Sequence, residues 1–181
     1  MRHNRNIVLF IATSLDGYIA TEDEQLDWLF EVEGEGDNGI SDFYSTIDTV
    51  LMGRKTYDWI LKADDVKEYP YSDKASYVFN RTDRKDLEHT HFINEDVESF
   101  VQKLKEQPGE RIWLVGGGEL VATFLEKGLI DEVIMTVAPK LIGSGIPLFQ
   151  KGDYQVDLEL KGVQTFNQFV ELHYIVKSTN R

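Results

Sequence analysis

Two short segments combine glycine with groups that can hold an anion: Met52-Gly53-Arg54-Lys55-Thr56 and Val115-Gly116-Gly117-Gly118-Glu119. In each, an apolar run ends at glycine and a helix-forming pattern begins, so each reads as a switch from strand to helix. Such a switch points the unpaired N–H groups of a helix start beyond the carboxyl end of a strand, where α/β sheets bind ligands. Glycine lets the main chain approach a diphosphate with no Cβ in the way. The first segment adds Arg54, Lys55 and the Thr56 hydroxyl, which can hold a phosphate ester through charge-assisted hydrogen bonds. Neither segment fits the common nucleotide fingerprints. Gly116-x-Gly118 is followed by Val121 where a third glycine belongs, and no G-x-x-x-x-G-K-[ST] occurs in the chain.

Other chemistries find less support. There is no cysteine, which excludes disulfides, thiolate metal sites and a cysteine nucleophile. His89 and His91 would face one side of a strand, but no third histidine accompanies them, and no metal site is expected. Glu33, Glu35, Asp37 and Asn38 suggest a calcium loop, yet its glycine falls one place late at Gly39, and Tyr44 stands where the bidentate Glu belongs. No nucleophile elbow supports a Ser-His-Asp hydrolase.

The elements that would position the two switches follow from the hydrophobic pattern. Asn6 to Thr13 is a β-branched apolar run suited to a strand covered on both faces. Ser14-Leu15-Asp16-Gly17 reads as a turn, and Asp16 can bond the backbone of that turn. Tyr18 to Ala20 resumes an extended segment, and the acidic, glycine-rich stretch Glu31 to Gly39 reads as a mobile loop. A helix is expected over Ile40 to Ile47. A strand at Thr49 to Met52 leads to a helix over Arg54 to Lys62, with further strands at Ala75 to Phe79 and His91 to Ile93. Asn94 can cap a helix from Glu95 to Glu106 with the apolar stripe Val97, Phe100, Val101 and Leu104. Arg111 to Val115 is a strand, Glu119 to Lys127 a helix stopped by Gly128, and Ile130 to Ala138 another strand. Leu158 to Gln164 and Phe169 to Lys177 alternate apolar and polar residues around Phe166-Asn167-Gln168, an antiparallel hairpin. Strands alternating with helices before a terminal hairpin imply an α/β fold with a mostly parallel sheet and an antiparallel edge.

The totals bound the class. A chain of 181 residues buries roughly 70% of its unfolded surface, enough for one domain, expected to span residues 1–181, without staples. The formal charge of −13 repels a polyphosphate backbone, so nucleic acid is not an expected partner; a small anionic cofactor is compatible with a local cluster of donors. The apolar run Ile7 to Ala12 is short for a signal peptide, and no stretch approaches the roughly 20 residues that span a bilayer. A cytoplasmic protein with no membrane partner is expected.

The ordered set of segments resembles the dihydrofolate-reductase-like reductases. It runs from the first strand with Ser14-Leu15-Asp16-Gly17-Tyr18-Ile19-Ala20, through Leu51-Met52-Gly53-Arg54-Lys55-Thr56-Tyr57 and Val78-Phe79-Asn80-Arg81-Thr82, to Ile112-Trp113-Leu114-Val115-Gly116-Gly117-Gly118-Glu119-Leu120. The later segment Ala138-Pro139-Lys140-Leu141-Ile142-Gly143-Ser144-Gly145-Ile146-Pro147-Leu148-Phe149 is similar to the reductase domain of the riboflavin-pathway deaminase-reductases. The resemblance implies a three-layer α/β/α fold and an NADPH-dependent reductase of a small heterocycle, similar to 5-amino-6-(5-phosphoribosylamino)uracil reductase. It puts Ala12 and Ile19 against the nicotinamide, and Gly53 to Thr56 around the cofactor phosphates. Asn80, Arg81 and Thr82 would stand near the adenosine ribose and its 2′-phosphate. Gly116 to Leu120, entered from Val115, would cradle the pyrophosphate, often with a cis peptide between its first two glycines. Ser14 and Asp16 would line the substrate, and Asp37 and Asp42 are the candidates for the catalytic acid. Relatives of the riboflavin branch usually carry an acidic residue at the position of Gly116, and the sequence holds no counterpart of the zinc deaminase to which they are commonly fused, so a stand-alone reductase is expected. They tend to dimerise through the C-terminal hairpin, and Leu158, Leu160, Val163, Val170, Leu172, Tyr174 and Val176 give this chain an apolar edge there. The alternatives are a folate reductase proper, although no Arg between Lys62 and Ala75 can clamp a folate tail, and a non-catalytic nucleotide-binding dimer of the same fold.

Overall fold

A computed structural model describes residues 4–63 and 68–177. Strands β1 (Ile7–Ser14), β3 (Ile47–Gly53), β4 (Ala75–Phe79), β5 (Thr90–Ile93), β6 (Arg111–Gly116) and β7 (Glu132–Ala138) are mutually parallel. They lie in the order β5-β4-β3-β6-β1-β7, and the hairpin β9 (Leu158–Phe166) and β10 (Phe169–Val176) extends the sheet antiparallel through β10. The hairpin turns on Asn167, whose φ of 57° is a conformation that asparagine tolerates. A separate small pair joins β2 (Tyr18–Ala20) to β8 (Ile146–Pro147). This is the mixed, mostly parallel sheet with an antiparallel C-terminal pair that the pattern predicted.

Both faces of the sheet are covered, and strand alternation decides which residue meets which layer. On one face Ile7, Leu9, Leu51, Ile112 and Leu114 pack under helices α4 (Val97–Lys105) and α5 (Gly118–Glu126) through Val101, Leu104, Val121 and Phe124. On the other, Val8, Val50, Met52 and Val78 pack under α2 (Ile40–Tyr44) and α3 (Arg54–Lys62) through Phe43, Tyr57 and Ile60. Phe43 stacks on Phe10 at 4.0 Å between centroids and meets Trp113 edge-on at 5.6 Å, fastening the short α2 to the sheet. A third cluster of Trp28, Ala138, Phe166 and Phe169 closes the end of β7, with Trp28 brought in by α1 (Asp27–Phe30).

Several boundaries differ from expectation for identifiable reasons. Helix α2 stops at Tyr44 because Ile47 is 2% exposed as the first residue of β3. Helix α4 is capped by Asp96, whose Oδ2 accepts from Ser99 N at 2.9 Å, while Asn94 donates to Asp83. Helix α1 lies just before the stretch Glu31 to Gly39, in a segment that the hydrophobic pattern assigned to no element, and β8 is formed by two residues whose partner strand lies far back in the chain.

Phe124 is fully buried and meets Phe79 at 6.1 Å between centroids. Phe124→Ala is expected to cost about 3–5 kcal/mol of stability, read as a lowered urea midpoint with an unchanged slope.

Candidate active site

The parallel strands bring their carboxyl ends to one edge, and the register brings the two glycine switches together. Met52 is paired with Gly116, so β3 passes into α3 and β6 into α5 side by side. The register slips by one residue between Leu51 and Met52, leaving Val115 as an extra residue on β6 immediately before the glycines, a bulge that re-aims the chain at the strand end. Gly116 then takes a φ of +133°, a value that side-chain-bearing residues rarely adopt, and its peptide with Gly117 is trans, since none of the described bonds is cis.

Neither α3 nor α5 has a side-chain cap; the N-cap positions are Gly53 and Gly117. Their first-turn N–H groups therefore stay free of protein side chains, in contrast to α4 with its Asp96 cap. Gly117 N donates to Thr56 Oγ1 at 3.0 Å, a hydrogen bond that staples the start of α5 to the first turn of α3. The result is a double row of backbone donors at the edge of the sheet, the arrangement that suits a diphosphate.

The cations of the site differ in how committed they are. Arg54 Nε bonds Asp58 Oδ1 one turn on at 2.8 Å. Lys55 Nζ lies 3.5 Å from Glu119 Oε1 across the two helix starts, and both side chains are well exposed, so the pair is screened and can open to an incoming anion. Arg81 is exposed and makes no ion pair among the described residues. It stands in a turn shaped by Asn80, whose Nδ2 donates to Thr82 O at 2.6 Å and whose N donates to Ile93 O at 2.8 Å. Ala12 is half-buried at the end of β1 opposite Thr136, Ile19 packs against the first core cluster, and Leu120 is buried behind the glycines.

The substrate-side and acid candidates resolve differently. Asp16 Oδ1 accepts from Ser14 Oγ at 2.6 Å and from Ile142 N at 3.3 Å, and Oδ2 accepts from Gly143 N at 2.8 Å. Its partners are thus far along the chain and not only in its own turn. The Ser14 hydroxyl, followed by those two backbone N–H groups, holds the carboxyl below its ordinary value. Asp37 accepts from Gly39 N at 3.1 Å and Ser41 N at 2.9 Å, ordering the entry into α2; its bonds to Ser41 come first among the causes that keep its carboxyl low. Asp42 is exposed in the first turn of α2. A carboxyl held low is ionised at neutral pH, so Asp37 serves the local fold better than it serves proton donation.

The segment after β7, which carries the resemblance to the riboflavin-branch reductases, was given no place at the site from sequence, yet the structure lays it against the site. Pro147 O and the Gln150 amide sit so close to Gly118 that a Cβ there would fall 2.8 and 2.6 Å from them. The signal available in the sequence was the Gly143, Gly145 and Pro147 punctuation. A cavity of about 250 Å³ lined by Asn4, Gln102, Lys105, Glu106, Gly128 and Leu129 lies at the opposite end of the sheet, beside the start of β1, and has no part in this arrangement.

A parallel sheet with two uncapped helix starts stapled at its carboxyl edge defines a reductase-like α/β domain of the dihydrofolate-reductase type. Residues 5–172 match the RibD C-terminal domain family, and the chain belongs to it. It is 51% identical to the uncharacterized protein YwjB of Bacillus subtilis (strain 168), over 94% of this chain and 98% of that one. Among solved structures, a Shewanella sp. PV-4 protein provisionally described as a riboflavin biosynthesis protein superposes with a TM-score of 0.87 at 28% identity, covering 96% of this chain and 99% of that one. The dihydrofolate reductase of Enterococcus faecalis, complexed with NADP(H), superposes with a TM-score of 0.64 over 98% of this chain and 100% of that one; its 13% identity makes this a likeness of fold alone.

Because the folded-state carboxyl of Asp37 lies below the 3.8 of an ordinary aspartate, its contribution is complete above 3.8 and is lost as pH falls through the lower folded value. Asp37→Asn removes that titration. Its thermal midpoint should fall less steeply than that of the unmodified chain on acidification from pH 5 to about pH 3, as followed by circular dichroism.

Proposed function

We propose that the chain is an NADPH-dependent reductase of a small heterocyclic substrate, of the kind reduced in riboflavin biosynthesis. The observation that carries the reading is the Gly117 N to Thr56 Oγ1 hydrogen bond, which holds two uncapped helix starts together at the strand ends. Family membership supports it, as does the fold shared with a reductase complexed with NADP(H). The residues present fit a dinucleotide. Gly53 and Gly116 leave the backbone open, the first N–H groups of α3 and α5 would hold the diphosphate, and Lys55 would turn from Glu119 toward a phosphate. Arg81, uncommitted and at the end of β4, would take the 2′-phosphate that separates NADPH from NADH. Ala12 and Ile19 would bound the ring-binding end on the β1 side. The cofactor, when bound, supplies the hydride; the chain's share is to position the partners and exclude water.

NADPH should quench tryptophan fluorescence and raise the melting temperature, with NADH weaker by about tenfold or more. One charge-assisted contact is worth about 1.5–3 kcal/mol, so Arg81→Ala should narrow the preference by about tenfold. Equal affinity for the two cofactors would sink the assignment of Arg81. NADPH binding without hydride transfer to any heterocyclic acceptor would favour the non-catalytic alternative, and tight methotrexate binding the folate one.

The same reading includes a homodimer through the hairpin. Leu158, Leu160, Val163 and Val170 are 41%, 54%, 58% and 37% exposed on one face of β9 and β10, an apolar edge that a twofold mate would cover. Light scattering at micromolar concentration should return twice the chain mass, and Val163→Lys should return the monomer.

A further inference from the structure

We propose that Asp16 is a positioning residue that anchors a strap, residues 141–150, and that this strap transmits the order of the turn after β1 to the phosphate-facing start of α5. The proposal rests on the reductase reading of the site, because it concerns how the two ends of that site are set together.

The strap is tied to the turn at every step. Leu15 N donates to Lys140 O at 2.8 Å. The Asp16 carboxylate takes Ile142 N on one oxygen and Gly143 N on the other, and Ser14 Oγ, which donates to Asp16, in turn accepts from Tyr18 N at 2.9 Å. Tyr18 and Ala20 pair with Pro147 and Ile146 in the β2–β8 ladder, and Leu148 N donates to Gly17 O at 2.9 Å. Gly145 lies so close to Ala20 O that no side chain fits between them. Leu148, fully buried, then enters the cluster that holds Leu120 and Val121 of α5. On either side of Leu148 along the chain, Pro147 O and the Gln150 amide rest on Gly118, the first residue of α5.

The chemistry of the anchor requires a carboxylate. Three donors, the Ser14 hydroxyl and two main-chain N–H groups, converge on two oxygens, and only an ionised acid offers acceptors on both sides. An amide would present an NH2 to one of these donors. Asp16 is exposed, yet the structure gives both its oxygens protein partners, so its effect on the site runs through the strap and not through contact with a reacting atom.

Hydrogen exchange and NADPH titration of the full chain test this together. In Asp16→Ala, exchange should rise at Ile142, Gly143 and Leu148 and in the amides around Gly118, while Val50 to Met52 and Ile112 to Leu114 keep their protection. The NADPH dissociation constant should rise about fivefold, although Asp16 lies at the far end of the strap. Asp16→Asn, which keeps one acceptor oxygen, should fall between the two. If the alanine variant lost protection throughout the sheet, the asparagine variant would decide: its exchange must rise in the strap alone. Unchanged exchange at Ile142 and Gly143 overturns the anchor. Raised exchange there with unchanged NADPH affinity overturns the transmission. If the unmodified chain bound no NADPH, the reductase reading would fall, and the strap would be judged by whether exchange around Gly118 follows the loss of Asp16.

Discussion

Everything at the candidate site depends on β6 being inserted between β3 and β1, with Met52 opposite Gly116. Gly53 and Gly117 are far apart in the chain, and each alone is an ordinary way to start a helix. Parallel pairing puts their helices on one edge; the helices themselves leave on opposite faces of the sheet, because α3 packs with the Val50 and Met52 face and α5 with the Leu51 and Leu114 face. The Thr56 to Gly117 hydrogen bond spans the sheet edge between them. A diphosphate-sized anion placed there would meet donors from two directions, which a single helix start cannot offer.

Charge works with this arrangement. A chain with a net charge of −13 does not attract anions at long range, and recognition must come from donors close to the ligand. Arg54 and Lys55 each stand beside a carboxylate, Asp58 and Glu119, so their charge is largely balanced until a ligand competes. Arg81 has no such partner among the described ion pairs, and it stands at the end of β4, two strands from the Gly116 switch. Under the proposed function, backbone N–H groups, which carry no net charge, would do most of the holding, and the Arg81 guanidinium would supply the discrimination.

The parts legible in the sequence were those with a local cause. Helix α3 and strand β4 were read to the residue because Arg54 to Lys62 follows a glycine with an apolar stripe and Ala75 to Phe79 alternates between punctuating residues. The two switches were legible because in each an apolar run stops at glycine and a helix-forming pattern follows, and two such segments occur in one short chain. What escaped depends on distant partners. Helix α1 is a four-residue turn held by Trp28 against Ala138, Phe166 and Phe169, all from the second half of the chain. Strand β8 is two residues that become a strand only beside β2. Asp16 looked like the acceptor of its own turn because nothing local reveals that Gly143 N will arrive 2.8 Å away from it.

The glycine triplet shows why a weak local signal can mark a strongly constrained place. Gly116 has a φ of +133°, where a Cβ strains the chain whatever the space around it. Gly118 is constrained for a different reason, since Pro147 O and the Gln150 amide occupy the volume a side chain would need. The sheet thus restricts the first position and the strap the third, while Gly117 between them gives its N–H to Thr56. One three-residue segment answers at once to β6, to α3 and to a strap that arrives some thirty residues later. A substitution there disturbs the sheet edge, the helix start and the turn after β1 together, which is how a site assembled from distant segments comes to behave as one unit.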